Sequence, residues 1–73
     1  MNTTNFSFMV FSLLDEIKFA KDEFQQMTPM LRLLHDAVRD AQALGESEKT
    51  WRILQVVEVA VEDEIKRLCR ELS

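Results

Sequence analysis

The sequence predicts an all-α fold: a three-helix antiparallel bundle, made of a helical hairpin and an N-terminal helix, whose core is completed as a homodimer. The composition is 47% hydrophobic and 30% charged with one Gly and one Pro, which is typical of a helix-rich domain. Apolar residues recur every three or four positions in three segments. A chain of 73 residues buries only about 62% of its extended surface alone, so self-association is expected. Residues 1–73 form one helical domain.

The first segment predicts a helix over residues 4–26. Its apolar positions form one unbroken seam with alternating spacings of four and three. The competing interpretation is a short strand at residues 6–8 followed by a helix that Ser12 and Asp15 would cap. Seven positions in register favour the single helix. The seam comprises Phe6, Val10, Leu13, Ile17, Ala20, Phe24 and Met27.

The dipeptide Thr28-Pro29 predicts the start of a second helix over residues 29–44. Proline lacks the backbone donor that a helix interior needs, but it suits the first helical turn. Gly45 is expected to end this helix as a left-handed residue just beyond it. The predicted seam is Met30, Leu34, Ala37, Ala41 and Leu44, widened by Leu31 and Val38.

The third helix is predicted over residues 47–72, with Ser47 as the N-cap. Residues 53–61 are rich enough in β-branched side chains to suggest a strand, but no turn signal follows them. Lys66 and Arg67 are expected to pair with the acids four residues before them, Glu62 and Asp63. The predicted seam is Leu54, Val57, Val61, Ile65, Leu68 and Leu72.

The sequence contains no arrangement typical of an active site or a metal site. The only histidine, His35, and the only cysteine, Cys69, lie on different predicted helices, where we expect a boundary histidine and a small buried thiol. The acids at 58 and 62–64 are expected to form a solvated face. One glycine cannot build a phosphate-binding loop. The sequence therefore predicts no enzyme, no catalytic residue, no cofactor and no metal.

Charge and hydropathy exclude further classes of function. A net charge of −4 argues against direct binding of nucleic acid, because phosphates require a basic surface. The longest nearly apolar run, residues 6–14, is too short to span a bilayer and follows no export signal, which predicts a cytoplasmic protein. Asp15 and Glu16 beside this run argue against a membrane-surface helix.

The informative anomaly is an excess of apolar side chains outside the three seams. A monomer rarely leaves large apolar patches in water, so these residues predict an interface with a second copy or with a target protein. The sequence thus predicts a small regulator, adaptor or inhibitor. The alternative is an acidic mimic that blocks a positively charged groove through Asp36, Asp40, Glu58, Glu62 and Asp63. The predicted interface residues are Phe8, Phe11, Leu14, Phe19, Trp51, Val56 and Val59.

Overall fold

Three α-helices make up the fold in the computed structural model, which describes residues 3–72, with side chains from Asn5 onward. They are α1 (Thr3–Phe24), α2 (Pro29–Leu44) and α3 (Glu48–Leu72). The connections over 25–28 and 45–47 are short, so each helix runs back along the one before it, and every helix packs on both others. The all-α three-helix bundle is confirmed. Residues 6–8 and 53–61 are helical, which excludes both strand alternatives.

One stripe of each helix forms the core. The α1 stripe is the predicted seam, of which Phe24 at the helix end and Met27 in the connection are only half-buried. Phe6 packs edge to face on Trp51 at one end of the bundle, with 5.7 Å between the ring centroids. The core comprises Phe6, Val10, Leu13, Ile17, Ala20, Leu31, Leu34, Val38, Ala41, Leu54, Val57, Val61 and Leu68.

Helix α1 ends two residues before the predicted boundary. Gln25 has a φ of 49°, a left-handed conformation that stops the helix. The backbone N–H of Gln26 then donates to the carbonyl of Lys21 at 3.1 Å, which is the 6→1 bond of a Schellman ending. Glycine is the usual residue at such a position, so the glutamine carries no signal from which the end could be predicted.

The core stripe of α2 is rotated from the predicted seam. Met30 and Leu44 are exposed, while Leu31 and Val38, predicted to lie beside the seam, are completely buried. The apolar surface of α2 is wider than the strip that its two neighbours cover, so part of it faces solvent. Gly45 ends the helix with the predicted positive φ, 88°, but its ψ of 172° is extended, a combination that essentially only glycine adopts.

Two polar side chains hold the start of α3. The Oγ of Ser47 accepts from the backbone N–H of Thr50 at 3.2 Å, and the Oγ1 of Thr50 accepts from the N–H of Ser47 at 2.9 Å. This reciprocal capping confirms Ser47 as the N-cap, so the helix proper begins at Glu48. These two hydrogen bonds therefore fix the conformation of the connection where it enters α3.

Candidate interaction surfaces

The aromatic side chains predicted to form an interface stand on the outer side of α1. Phe8, Phe11 and Phe19 are exposed by 72%, 57% and 63%. Successive residues of an α-helix turn by about 100°, which places these positions opposite the stripe of Val10, Leu13 and Ile17. Helix α1 is thus apolar on two opposite faces. We call Phe8, Phe11 and Phe19 the aromatic ridge.

Asp15 lies on the crest of the aromatic ridge. It borders the depression between α1 and α2, beside Lys18, and also the depression between α1 and α3, beside Phe19. A residue that borders both depressions must project away from the bundle. The crest is therefore apolar at 8, 11 and 19 and anionic at 15.

A second apolar surface lies in the groove between α2 and α3. It has a volume of about 400 Å³, and the side chain of Arg52 stands at its border. Leu33 and Val56 are its exposed members, at 63% and 69%. We call this surface the apolar groove; its lining residues are Leu33, Leu34, Ala37, Ile53, Val56 and Val57.

The two apolar surfaces lie on opposite sides of the bundle. In a three-helix bundle the groove between two helices faces away from the third, and the aromatic ridge is the outward side of α1. Phe11 and Val56, both predicted as interface residues, therefore cannot belong to one patch. The structure brings Phe8, Phe11 and Phe19 together and separates them from Val56.

The remaining predicted interface residues have other environments. Leu14 and Trp51 are half-buried and pack against the core. The indole Nε1 of Trp51 is buried and, within the described residues, has no hydrogen-bond partner, so its polar edge does not face a partner protein. Val59 is 58% exposed on α3 and lies outside the lining of the apolar groove.

The acids named for the alternative function do not form a single surface. Glu58 and Glu62 face Glu16 of α1, and burial, reinforced by repulsion from these two carboxylates, raises the pKa of Glu16. Asp63 lies instead beside Met30 and Arg67 between α2 and α3, and Asp36 beside His35 on α2. We call Glu16, Glu58 and Glu62 the acidic seam.

Glu64 is buried, which corrects its assignment to a solvated acidic face. Its Oε2 accepts from the hydroxyl of Thr28 at 2.6 Å, and both carboxylate oxygens accept from the guanidinium of Arg67 at 2.8 Å. The ion pairs of Arg67 are with Glu64 and Glu71, not with Asp63, so the predicted pairing of Arg67 with Asp63 is wrong. The bond from Arg67 outweighs burial and, with that from Thr28, lowers the pKa of Glu64.

The Glu64 carboxylate joins Thr28 at the start of α2 to Arg67 on α3, so we assign it a role in holding the fold together. The Thr28 hydroxyl also accepts from the N–H of Leu31, so one oxygen caps α2 and binds α3. Pairing with Glu64 and Glu71 raises the pKa of Arg67 further above its ordinary value. We find no free group at this position for chemistry.

The two residues considered for reactivity stand apart. His35 is half-buried beside Leu14 and Lys21, 3.5 Å from a carboxylate oxygen of Asp36. Cys69 is exposed, so its predicted burial is wrong: it lies beside Leu68 but one step past the core stripe. Within residues 3–72, no three His, Cys, Asp or Glu side chains converge as metal ligands would.

The sequence reasoning missed Leu33, Ala37 and Arg52 of the apolar groove. A signal for them exists: in a hairpin that turns at Gly45, positions equidistant from the turn face each other, as Ala37 and Ile53 do. Leu33 and Val56 are a nearly equidistant pair of the same kind. Pairing the leftover apolar residues across the turn would have predicted a groove shared by two helices.

Comparisons with protein-family models, with curated proteins and with solved structures find no match to this chain. None of the helices in the described part of the chain has both the length and the hydropathy required to cross a bilayer.

Proposed function

We propose that this protein is a small, non-catalytic interaction module of the cytoplasm that binds a partner chain through the aromatic ridge. The observation that carries the proposal is the exposure of Phe8, Phe11 and Phe19 on a helix whose opposite face already fills the core. A regulator, adaptor or inhibitor acts by such binding alone. Both a second copy and a different target protein are possible partners.

The energetics of the aromatic ridge support this proposal. A phenyl ring exposed to water does not gain the free energy of burial, which is roughly 25 cal/mol per Å² of apolar surface. Phe8 and Phe11 lie about one turn apart on this face and Phe19 follows about two turns later, beyond Asp15, so α1 concentrates exposed apolar surface on one side instead of scattering it. Aromatic side chains are frequent anchors at the centre of interfaces. The ridge is therefore the part of the surface best suited to bind a protein.

The test is the solution mass of the wild type and of Phe11→Asp by light scattering, over a concentration series at low and high salt. Capture of partners from a native lysate on each immobilised protein accompanies it. We expect Phe11→Asp to abolish association, since a carboxylate would be buried without a partner. Association through phenyl rings should hold or strengthen at high salt.

Ser7→Asp is the matched control, because Ser7 is exposed on the same helix outside the ridge and the charge change is the same. It should behave as the wild type does. Circular dichroism should show full helicity in both variants. Identical mass and identical captured proteins for the wild type and Phe11→Asp would contradict the proposal, as would unfolding of Phe11→Asp.

The alternative, an acidic mimic that blocks a positively charged or nucleic-acid-binding groove of a target protein, draws support from the acidic seam alone. Glu16, Glu58 and Glu62 repel one another, so the local electrostatic potential is negative. Binding to a cationic groove would offset this repulsion. Binding of this kind should weaken steeply with ionic strength and should survive Phe11→Asp. The same salt series therefore separates the two functions.

A further inference from the structure

We propose that the apolar groove is the binding site for the aromatic ridge of a second copy, so that the chain associates head to tail. This inference rests on the proposed function, since it assigns a partner to the ridge. The ridge is convex and belongs to one helix, whereas the groove is a shallow apolar depression between two helices. Placing α1 of one copy in the groove of the next would build a four-helix arrangement at each junction.

The two surfaces match in polarity. All the residues that line the groove are apolar except Arg52 at its border. The lining covers residues 33–37 of α2 and 52–57 of α3, a length that accommodates Phe8 and Phe11, and phenyl rings require such an apolar lining to leave water. Depressions that flank α1 do not offer it, because they contain Lys18 and Lys21 on one side and Glu16 and Glu62 on the other.

Charge complementarity selects this occupant for the groove. Asp15 is the charge that lies between Phe11 and Phe19 on the crest of the ridge, and a carboxylate covered by a partner needs a cation. Arg52 at the groove border supplies one, and within the described residues its ion-pair partner is Glu48 alone, in an exposed pair of 2.7 Å. Exposed pairs of this kind contribute little, so Arg52 can exchange Glu48 for the Asp15 of another copy at small cost.

The size of the contact predicts weak association. Each phenyl ring has roughly 150–250 Å² of surface, and more than half of it is exposed here. Even with all three rings and an equal area of groove, the apolar contact stays below the approximately 1,000 Å² at which specific interfaces begin. We therefore expect weak, concentration-dependent association, as for interfaces at the low end of this scale.

The placement of the surfaces fixes the symmetry of the assembly. Because ridge and groove lie on opposite sides of one chain, a copy that donates its ridge still has a free groove. Growth therefore does not stop at two copies, and the solution mass of the wild type should pass twice 8.6 kDa as concentration rises. This differs from the homodimer that the sequence predicted.

A mixing experiment tests the inference, with sedimentation equilibrium as the readout. Phe11→Asp removes the ridge and keeps the groove; Val56→Asp removes the groove and keeps the ridge. Each variant alone should remain a monomer of 8.6 kDa. An equimolar mixture should form a 1:1 dimer that does not grow, because the remaining ridge and groove of that dimer are both disabled.

Two further variants keep the test decisive. Val59→Asp, on the same helix and similarly exposed but outside the groove, should associate as the wild type does. Leu33→Asp, which damages the groove from α2, should reproduce the behaviour of Val56→Asp. If either groove variant failed to fold, as judged by circular dichroism, the other would still provide the test.

Three outcomes would overturn the assignment: a monomeric wild type, a mixture that stays monomeric, or dimers of Val56→Asp alone. In the last case ridge would pair with ridge about a two-fold axis, and the proposed function would stand without the groove. The proposed function itself would fail if Phe11→Asp changed neither the mass nor the captured partners, or if Phe11→Asp unfolded. The two failures are therefore distinguishable.

Discussion

The two faces of α1 differ in environment although both are apolar. Leu13 on the inner face is 1% exposed, while Phe11, two residues earlier on the outer face, is 57% exposed. Leu13 contacts the other helices, whereas Phe11 faces solvent. On a short helix, residue type alone does not distinguish a residue that stabilises the fold from one available for binding. The position of the residue around the helix axis does.

Two glutamates, Glu64 and Glu16, also differ in environment although they are the same residue type. Glu64 is buried and its pKa is lowered by its bond to Arg67, whereas Glu16 is solvent-exposed and its pKa is raised, by partial burial and by repulsion from Glu58 and Glu62. The same acid therefore stabilises the fold at one position and slightly opposes it at the other. Three predictions follow the contrast between inner and outer positions, beginning with the largest effect.

The largest effect is expected from truncating the inner face. Leu13→Ala should lower the free energy of unfolding by about 2–5 kcal/mol, since it leaves a cavity in a close-packed core. Phe11→Ala should change it by no more than about 0.5 kcal/mol, as most exposed substitutions do. Urea denaturation followed by circular dichroism, at protein concentrations below association, measures both values.

A small bundle has little stability to lose, so the urea midpoint of Leu13→Ala is expected to move close to zero denaturant. Equal losses for Leu13→Ala and Phe11→Ala would mean that the two faces of α1 are not distinct. That result would also remove the basis of the aromatic ridge.

The second prediction compares the two carboxylates. Glu64→Gln should lower the free energy of unfolding by about 1–3 kcal/mol, because the amide loses the charge and turns a donor toward the guanidinium of Arg67. Glu16→Gln should be neutral or slightly stabilising, since it removes repulsion within the acidic seam. The same denaturation experiment checks both variants, and a Glu64→Gln protein as stable as the wild type would refute the role assigned to Glu64.

The smallest effect is the pH dependence, in which the two acids have opposite signs. The pKa of Glu16 is raised above its ordinary value of 4.5, so its folded form binds a proton first and stability rises slightly as pH falls toward that value. The pKa of Glu64 is lowered, so its contribution is complete above 4.5 and is lost as pH falls below it.

Denaturation midpoints from pH 7 to pH 3 measure this profile in the wild type and in both variants. Glu16→Gln should remove the slight rise, and Glu64→Gln should reduce the loss at low pH. Parallel profiles in all three proteins would show that neither group titrates differently in the folded chain.

Much of the fold could be predicted from sequence because its breaks are marked by residues with specific conformational roles. Thr28 with Pro29 and Gly45 with Ser47 indicate both connections, and the α1 seam identifies its buried stripe. The end of α1 could not be predicted, because Gln25 adopts a left-handed conformation without the usual glycine. The α2 stripe was misplaced because its apolar surface is wider than the contact that covers it.

Prediction of the candidate site was partial for a related reason. Leftover apolar residues on α1 indicated the aromatic ridge, since one helix contains all of its members. The apolar groove requires residues from two helices, and Leu33 gains its partners only when the hairpin closes. The burial of Glu64 depends likewise on Thr28, a residue distant in sequence, so a charge pattern along α3 alone suggested a solvated face.

The Thr28 hydroxyl has a consequence for how the bundle opens. Its oxygen accepts from the first turn of α2 and its proton goes to a carboxylate on α3. Fraying of α2 at its N-terminus and detachment of α3 therefore disrupt the same bonded pair, which links two local openings into one cooperative event. Amide protons at the start of α2 and amide protons in the C-terminal half of α3 should consequently exchange with solvent together, as a single cooperative unit.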